Sequence, residues 1–302
     1  MAFHEKCVGV AGFLQKIAPL EMTPDTEHDP ARSQPAPDQS AGRRWFRVKI
    51  SLTWLVLLTL IGFGASRLHL DFGLIGQKLP FLLGLRLAPD GFIQGAALTV
   101  FVTAASMPCA LLLGTLAALG RLSANPIAFA VSTFYGSLFR GTPLIVQVLI
   151  IYLALPQIGI ILGGLTSGII ALSFNYGAYL SEMIRSGVMS VAPGQREAAM
   201  ALGLPNWVIS WKVIAPQALR VIIPPAGTQF VSMLKDSSLV SLLGLWELNF
   251  LAQAYGREGN DYFEMLLSAA VIYWMLSVLF ELVQFRLERK FGKGATAPGR
   301  ST

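Results

Sequence analysis

The sequence predicts an all-α polytopic membrane protein with about six transmembrane helices. Three observations carry this reading. The 302 residues are 54% hydrophobic and only 13% charged, against about 25% charged in soluble domains. Several apolar runs approach or exceed the roughly 18 residues with which a helix can cross a bilayer. Much of the basic charge lies beside those runs, where topology explains it, so the net charge of +6 does not point to nucleic acid. Cys7 and Cys109 offer no disulfide framework. Neither they nor His4, His28 and His69 show metal-ligand spacing.

Residues 1–49 read as a disordered cytoplasmic tail, polar and rich in Pro, Asp and Gln from Thr23 to Gln39. Val8 to Leu20 contains Gln15 and Lys16 and makes a poor signal-peptide core. Arg43, Arg44, Arg47 and Lys49 precede the first run, Ile50 to Ser66, and place its start in the cytoplasm. Residues 50–90 thus comprise an extra N-terminal span and an external segment, whose apolar piece Leu79 to Leu87 is too short to cross. The second span runs from about Phe92 to Leu119. Gly95 and Gly114 permit close packing there, and Pro108 is expected to kink it. One helix through Asn125 to Gln157 would put Arg140 mid-membrane, at a cost of at least about 2.5 kcal/mol. Residues 126–139 are therefore expected as a cytoplasmic-side elbow, with the third span starting near Pro143. The fourth span covers about Ile160 to Ile184. The fifth covers about Pro216 to Leu234, bent at Pro224 and Pro225. Lys235 to Asp261 returns outside, with Leu239 to Leu245 dipping back. The sixth span is about Tyr262 to Val283, and Arg286, Arg289, Lys290 and Lys293 hold the C-terminal tail, 291–302, in the cytoplasm.

Between spans four and five lies Gln195 to Pro205. Pro193 and Gly194 open a short helix, Glu197 falls in its first turns, and Gly203 with Pro205 close it. About ten residues give about 15 Å, half of what a bilayer needs. Ala198, Ala199 and Ala201 are small, so another surface can approach closely. These features alone fit a docking element and a helix lying on its own protein equally well. Trp207 to Lys212 reads as a second short interfacial helix.

Five pieces resemble the permeases of ATP-binding-cassette importers, in the branch that takes up polar amino acids. They are RGTPLIVQ (140–147), NYGAYLSEMIR (175–185), GQREAA (194–199), APQALR (215–220) and KDSSLVSLLG (235–244). The third contains the EAA triplet, Glu197-Ala198-Ala199, with Gly203 four positions on. The resemblance covers about Gly91 to Glu288, and makes 91–290 the permease transmembrane domain, a five-helix core to which the first span is added. It implies a bacterial inner-membrane protein with both termini cytoplasmic. It implies two cytoplasmic ATPase subunits, a second permease subunit (identical or related) and an extracytoplasmic amino-acid-binding protein as partners. Gln195, Glu197, Ala198, Ala199 and Gly203 would form the cytoplasmic coupling helix seated on the ATPase. This chain has no G-x-x-x-x-G-K-[ST] phosphate loop. No cofactor is expected in it; ATP and Mg would be bound by the partner ATPase, and the chain itself is not expected to be an enzyme.

Asn175, Tyr179 and Glu182 share one face of span four, by i, i+4 and i+7 spacing, and fit either a substrate pathway or inter-helix hydrogen bonding. Gln147, Thr99, Thr103 and Gln229 are polar within apolar spans; Gln147 and Thr99 join the pathway candidates, with helix packing as the plainer role. Arg140 fits a gate, a carboxylate partner or an interfacial anchor. Lys235 and Asp236, at the outer end of span five, fit an ion pair or a contact to the binding protein. Two other functions remain open: a permease for another small solute, and a secondary transporter without an ATPase.

The charge bias fixes an expected labelling pattern. In intact cells, a membrane-impermeant thiol reagent is expected to reach a cysteine at Gly76 and to miss one at Ser40 or Thr296. Labelling at Ser40 from outside would overturn the six-span topology.

Overall fold

The computed structural model describes Trp45 and residues 48–57, 59, 60, 71–87 and 92–291. The two tails, apart from Trp45, Val48, Lys49 and Phe291, lie outside the described residues, as do residues 58 and 61–66 of the expected first span. The chain divides at His69 into two units. The first contributes α1 (Val48–Leu57), an apolar helix that starts two residues before the expected span.

The second unit contains α2 (Phe72–Leu83), α3 (Gly95–Leu122), α4 (Pro126–Gly141) and α5 (Leu144–Leu149). A wide turn (Ile150–Ala154) and a tight one (Leu155–Ile158) follow α5. Next come α6 (Gly164–Met189), α7 (Pro193–Ala201) and α8 (Asn206–Val208). A second wide turn, Ile209–Ile214, runs directly into α9 (Ala215–Asp236). The expected interfacial helix at Trp207 to Lys212 is therefore no separate element, because nothing in those residues interrupts the helical path. A tight helical stretch, Ser237–Leu243, leads to α10 (Leu248–Gly259) and α11 (Tyr262–Phe291). Among the described residues there is no strand, only an isolated backbone bridge between Gly95 and Glu247.

By length and apolarity, α3 and residues 262–288 of α11 can cross a membrane alone, and the bent pair α4–α5 would make a third crossing. The helices expected as spans four and five, α6 and α9, are long enough at 26 and 22 residues but too polar to qualify. For α6 the reason is its central position. Its Ser167, Ser173, Asn175 and Ser181 are buried in protein. A helix shielded by its neighbours need not be apolar all round.

Small residues make that position possible. A Cβ on Gly114 of α3 would stand 2.9 Å from Leu180 Cβ on α6, and one on Gly177 would stand 3.0 Å from Leu113 Cβ. The backbones approach as closely as glycine allows. The Ser173 hydroxyl contacts the Ser106 carbonyl across the same seam at 3.2 Å. Leu98, Val102 and Ala110 of α3 form one core with Leu172, Tyr176 and Leu180 of α6, extended by Met233, Val240 and Leu243. The expected dip at Leu239 to Leu245 is this Val240–Leu243 contact; Val240 Cγ1 lies where a side chain on Gly168 would be.

The break falls near Pro143 as expected, with a bend of 104° between 126–141 and 144–158. The two pieces together, however, have the length and apolarity of one broken crossing, and the bend lies beside Asn175 halfway along α6 rather than at its end. Proline explains it. Pro143 has no N–H to give to the Phe139 carbonyl one turn back. That carbonyl instead accepts from Gln147 Nε2 at 2.8 Å and Asn175 Nδ2 at 3.0 Å. Gln147 also reaches the Thr142 carbonyl and hydroxyl.

Near the start of α3, Glu247 is fully buried at the N-terminus of α10. Its carboxylate accepts from the backbone N–H of Asn249 (2.9 Å) and Phe250 (2.7 Å), the Tyr273 hydroxyl (2.7 Å) and the Thr99 hydroxyl (3.3 Å). One side chain thereby joins α3, α10 and α11. Burial pushes its carboxyl up to about 7, against the pull of the four donors. The folded value lies above the unfolded one, so this group's stabilising contribution is complete below about pH 4.5 and is lost as pH rises through 7. The purified protein is expected to lose apparent melting temperature between pH 5 and 8, and Glu247→Gln to flatten that slope. Glu247→Ala leaves the Asn249 and Phe250 N–H groups and the Tyr273 hydroxyl without their acceptor, while Thr99 can fall back on the Gly95 carbonyl, and is expected to destabilise by about 2 kcal/mol or more. An unchanged pH slope in Glu247→Gln would exclude this carboxyl as its source.

Candidate functional site

A cleft of about 460 Å³ opens where the elbow, α6 and α9 meet. Arg140 and the 141–144 turn form one wall, Asn175, Tyr176 and Tyr179 of α6 a second, and Gln229 and Asp236 of α9 a third. The Tyr176 hydroxyl donates to Asp236 Oδ2 at 2.7 Å and fixes that carboxylate. Arg140 is oriented by its own helix, Nε donating to the Gly136 carbonyl at 3.0 Å. The cleft thus offers a cation, an anion and neutral hydrogen-bonding groups on separate walls.

The sequence-derived candidates divide here. Asn175 and Tyr179 reach the cleft, though the Asn175 amide also holds the elbow. Glu182, expected on the same face, lies outside it. One turn further along α6, Glu182 forms ion pairs with Arg121 of α3, Arg185 of α6 and, at 3.6 Å, Arg140 of α4. Three guanidiniums from three helices share one carboxylate, and Arg140 belongs to both this cluster and the cleft. Gln147 is buried at the elbow and Thr99 beneath Glu247; neither lines the cleft. Lys235 and Asp236 do not pair with each other. They stand at the end of α9, as expected, but Asp236 bonds Tyr176 halfway along α6 and Lys235 faces a different groove. Continuation of α9 through Asp236 sends these neighbours to different faces. Tyr176, Asp236 and Arg121 matter more than sequence spacing indicated; Tyr176 falls off the i, i+4, i+7 stripe, and Arg121 reads only as a span-end charge.

The short helix α7 follows the Glu182 end of α6 after three residues. It begins at Pro193 and ends in a turn where Gly203 N–H bonds Met200 O and Leu204 N–H bonds Ala199 O. Gly203 has φ 73°, the left-handed conformation such an ending requires. Gln195, Glu197 and Ala198 are exposed, whereas Ala199 is buried against the protein's own body. The expected small-residue docking side is therefore narrower than the triplet. Glu197 stands in the second turn and caps nothing; the N-cap is Ala192, without a side-chain bond.

Residues 110–293 match the family model described as the binding-protein-dependent transport system inner membrane component. The chain belongs to that family. The permease is 33% identical to the arginine transport system permease protein ArtQ of Bacillus subtilis, over 74% of this chain and 98% of the relative. It is 37% identical to a putative glutamine transport system permease protein, GlnP, of Rickettsia conorii (66% and 91%) and 38% identical to the L-cystine permease TcyB of Bacillus subtilis (66% and 86%). Its fold superposes on a solved amino acid ABC transporter chain with a TM-score of 0.66 and 33% identity, covering 74% of this chain and all of the other. A methionine transporter, MetNI, in an inward-facing form gives 0.55 at 19% identity and shares the fold. The permease is thus a multi-pass inner-membrane component of an ABC importer, a kind of assembly that includes an ATPase and another permease chain.

The Glu182 cluster predicts a structural phenotype. Glu182→Ala leaves guanidiniums from three helices without their carboxylate. Partial exposure of the cluster, with side chains 17–35% accessible, reduces the cost from the about 3–5 kcal/mol of a fully buried pair to about 1–2 kcal/mol. The purified permease is expected to melt earlier, with Glu182→Asp recovering part of the loss. Lost uptake at an unchanged melting temperature would instead mark Glu182 as a pathway residue.

Proposed function

We propose that this chain is the permease subunit of an ATP-driven, binding-protein-dependent importer of polar amino acids. The observation that carries the substrate class is the cleft. A free amino acid is a zwitterion with a carboxylate and an ammonium group a few ångströms apart. Arg140 suits the carboxylate, Asp236 suits the ammonium, and Asn175, Tyr179 and Gln229 offer neutral contacts for the remainder. A sugar or a simple anion has no use for both charges. The amino acid, glutamine and arginine systems named among the relatives support the same class. An ATPase-independent carrier fits less well, since an exposed helix between two long helices has no task there.

In this reading an extracytoplasmic binding protein delivers the amino acid, and the cleft holds it between the elbow, α6 and α9. The ATP and Mg are bound by cytoplasmic ATPase subunits. Movement of the ATPase enters through α7 and its flanks, residues 194–205, by way of Gln195, Glu197, Ala198, Ala199 and Gly203. Ala199 seats α7 on the permease, while the exposed Gln195, Glu197 and Ala198 face the ATPase. The adjoining α6 and α9 carry the motion to the cleft. Both termini are cytoplasmic, and the Glu182 cluster marks the inner end of the pathway.

The test is uptake of a panel of labelled amino acids by proteoliposomes containing the full complex. Arg140→Ala and Asp236→Asn are each expected to lower uptake by at least about tenfold while the ATPase stays bound. Gly203→Val forces a β-branched residue into φ 73°, at about 1 kcal/mol or more. Glu197→Lys reverses an exposed charge. Both are expected to insert normally but to lose ATPase retention or uncouple hydrolysis from uptake. Wild-type retention and transport in both would remove α7 from the coupling role.

A further inference from the structure

The charges in the cleft are few enough to restrict what the substrate's side chain can be. Of the lining residues only Arg140 and Asp236 are charged. In the reading above, on which this inference rests, both are spent on the α-carboxylate and the α-ammonium group of an amino acid. The neighbouring charges are engaged elsewhere. Glu182, behind Arg140, also serves Arg121 and Arg185. Lys235 faces a separate groove between α9 and α11. A substrate side chain bearing a further charge of either sign would therefore enter the cleft without a counter-charge. Removing such a group from water is costly.

What remains in the cleft is neutral, and most of it is already committed. The Asn175 Nδ2 donates to the Phe139 carbonyl. The Thr142 hydroxyl donates to the Leu138 carbonyl and accepts from Gln147. The Tyr176 hydroxyl is given to Asp236. Gln229 differs. It is half-buried in the cleft wall, and among the described residues its side-chain amide forms no hydrogen bond. A carboxamide carries a donor and an acceptor side by side, and a second carboxamide offers the same two in reverse order, so such a pair makes two hydrogen bonds at once. Gln229 and Asp236 stand seven residues apart on one face of α9, about 10 Å by helical rise. One extended amino acid can thus hold its ammonium group at Asp236 and its side-chain end at Gln229.

We propose that Gln229 is the specificity-determining residue of the cleft, and that the substrate's side chain ends in a carboxamide, as in glutamine and asparagine. Two charges bind what every amino acid has. The unspent amide selects among amino acids. Arginine, lysine, glutamate and aspartate are rejected because each brings a third charge to a cleft that answers only two.

The test is equilibrium binding of labelled amino acids to the purified assembled complex in nanodiscs. The binding protein is left out, so that the preference measured belongs to the cleft. The wild type is expected to bind glutamine at least about tenfold more tightly than arginine, lysine or glutamate. The same margin is expected over norvaline, which has the carbon chain of glutamine without its amide. Gln229→Leu removes both hydrogen bonds and is expected to bring glutamine down to the level of norvaline. Gln229→Glu supplies the missing carboxylate and is expected to raise arginine and lysine at least about tenfold relative to glutamine. The wild-type comparison needs no substitution, so it decides the matter even if a variant fails to fold. Arginine, lysine or glutamate binding as tightly as glutamine overturns the carboxamide assignment and leaves the amino acid reading standing. A glutamine preference that survives unchanged in both folded variants overturns the role of Gln229. An intact complex that binds no amino acid at all removes the substrate reading itself, and this inference with it.

Discussion

The close approach of α3 and α6 is the constraint on which the rest of the permease depends. Gly114 and Gly177 remove the side chains that would hold the two backbones apart. Once they are in contact, α6 is enclosed, and its polar residues become usable inside a membrane. Ser173 and Asn175 find partners on α3 and α4, and Tyr176 finds one on α9. Each contact fixes a neighbour against α6. The elbow, the cleft and the arginine cluster are all arranged around this one shielded helix.

That arrangement explains how charged groups coexist with an apolar protein. Arg140 takes its Nε bond from its own helix and its counter-charge from Glu182. It keeps one side for the cleft. Asp236 accepts a hydrogen bond from the Tyr176 hydroxyl. The strongest electrostatic contacts sit at the end of α6 that leads into α7, and the buried carboxyl of Glu247 sits at the other. Between them the bundle relies on small residues and aliphatic packing.

Much of this was legible in the sequence, for identifiable reasons. The elbow followed from the cost of placing Arg140 mid-membrane, and Pro143 marked the break because it lacks an N–H. Gly203 was readable because a helix ending needs a left-handed residue. The sharing of Asn175 and Gln147 by one orphaned carbonyl was not readable, since it depends on α6 passing beside the elbow. Glu247 escaped notice because Thr99 lies 148 positions away in the chain. That Lys235 and Asp236 would part company was not readable, because adjacent helical residues point about 100° apart and their partners lie on different helices. Hydropathy undercounts the crossings because α6 and α9, the helices that line the cleft, are the polar ones.

The wide turn at Ile209–Ile214 has a consequence for how such a chain tolerates change. A wide turn holds more residues per revolution than the α-helix that continues from it. Its six residues rotate the chain by about as much as five α-helical residues would, about 500°. Removing one residue there would close the wide turn into ordinary helix and leave the segment bearing α7 in nearly the same direction relative to Gln229 and Asp236. These six positions therefore tolerate the loss of one residue better than a regular stretch of α9 does. Within regular helix the same deletion would rotate the flanking segments apart by about 100°.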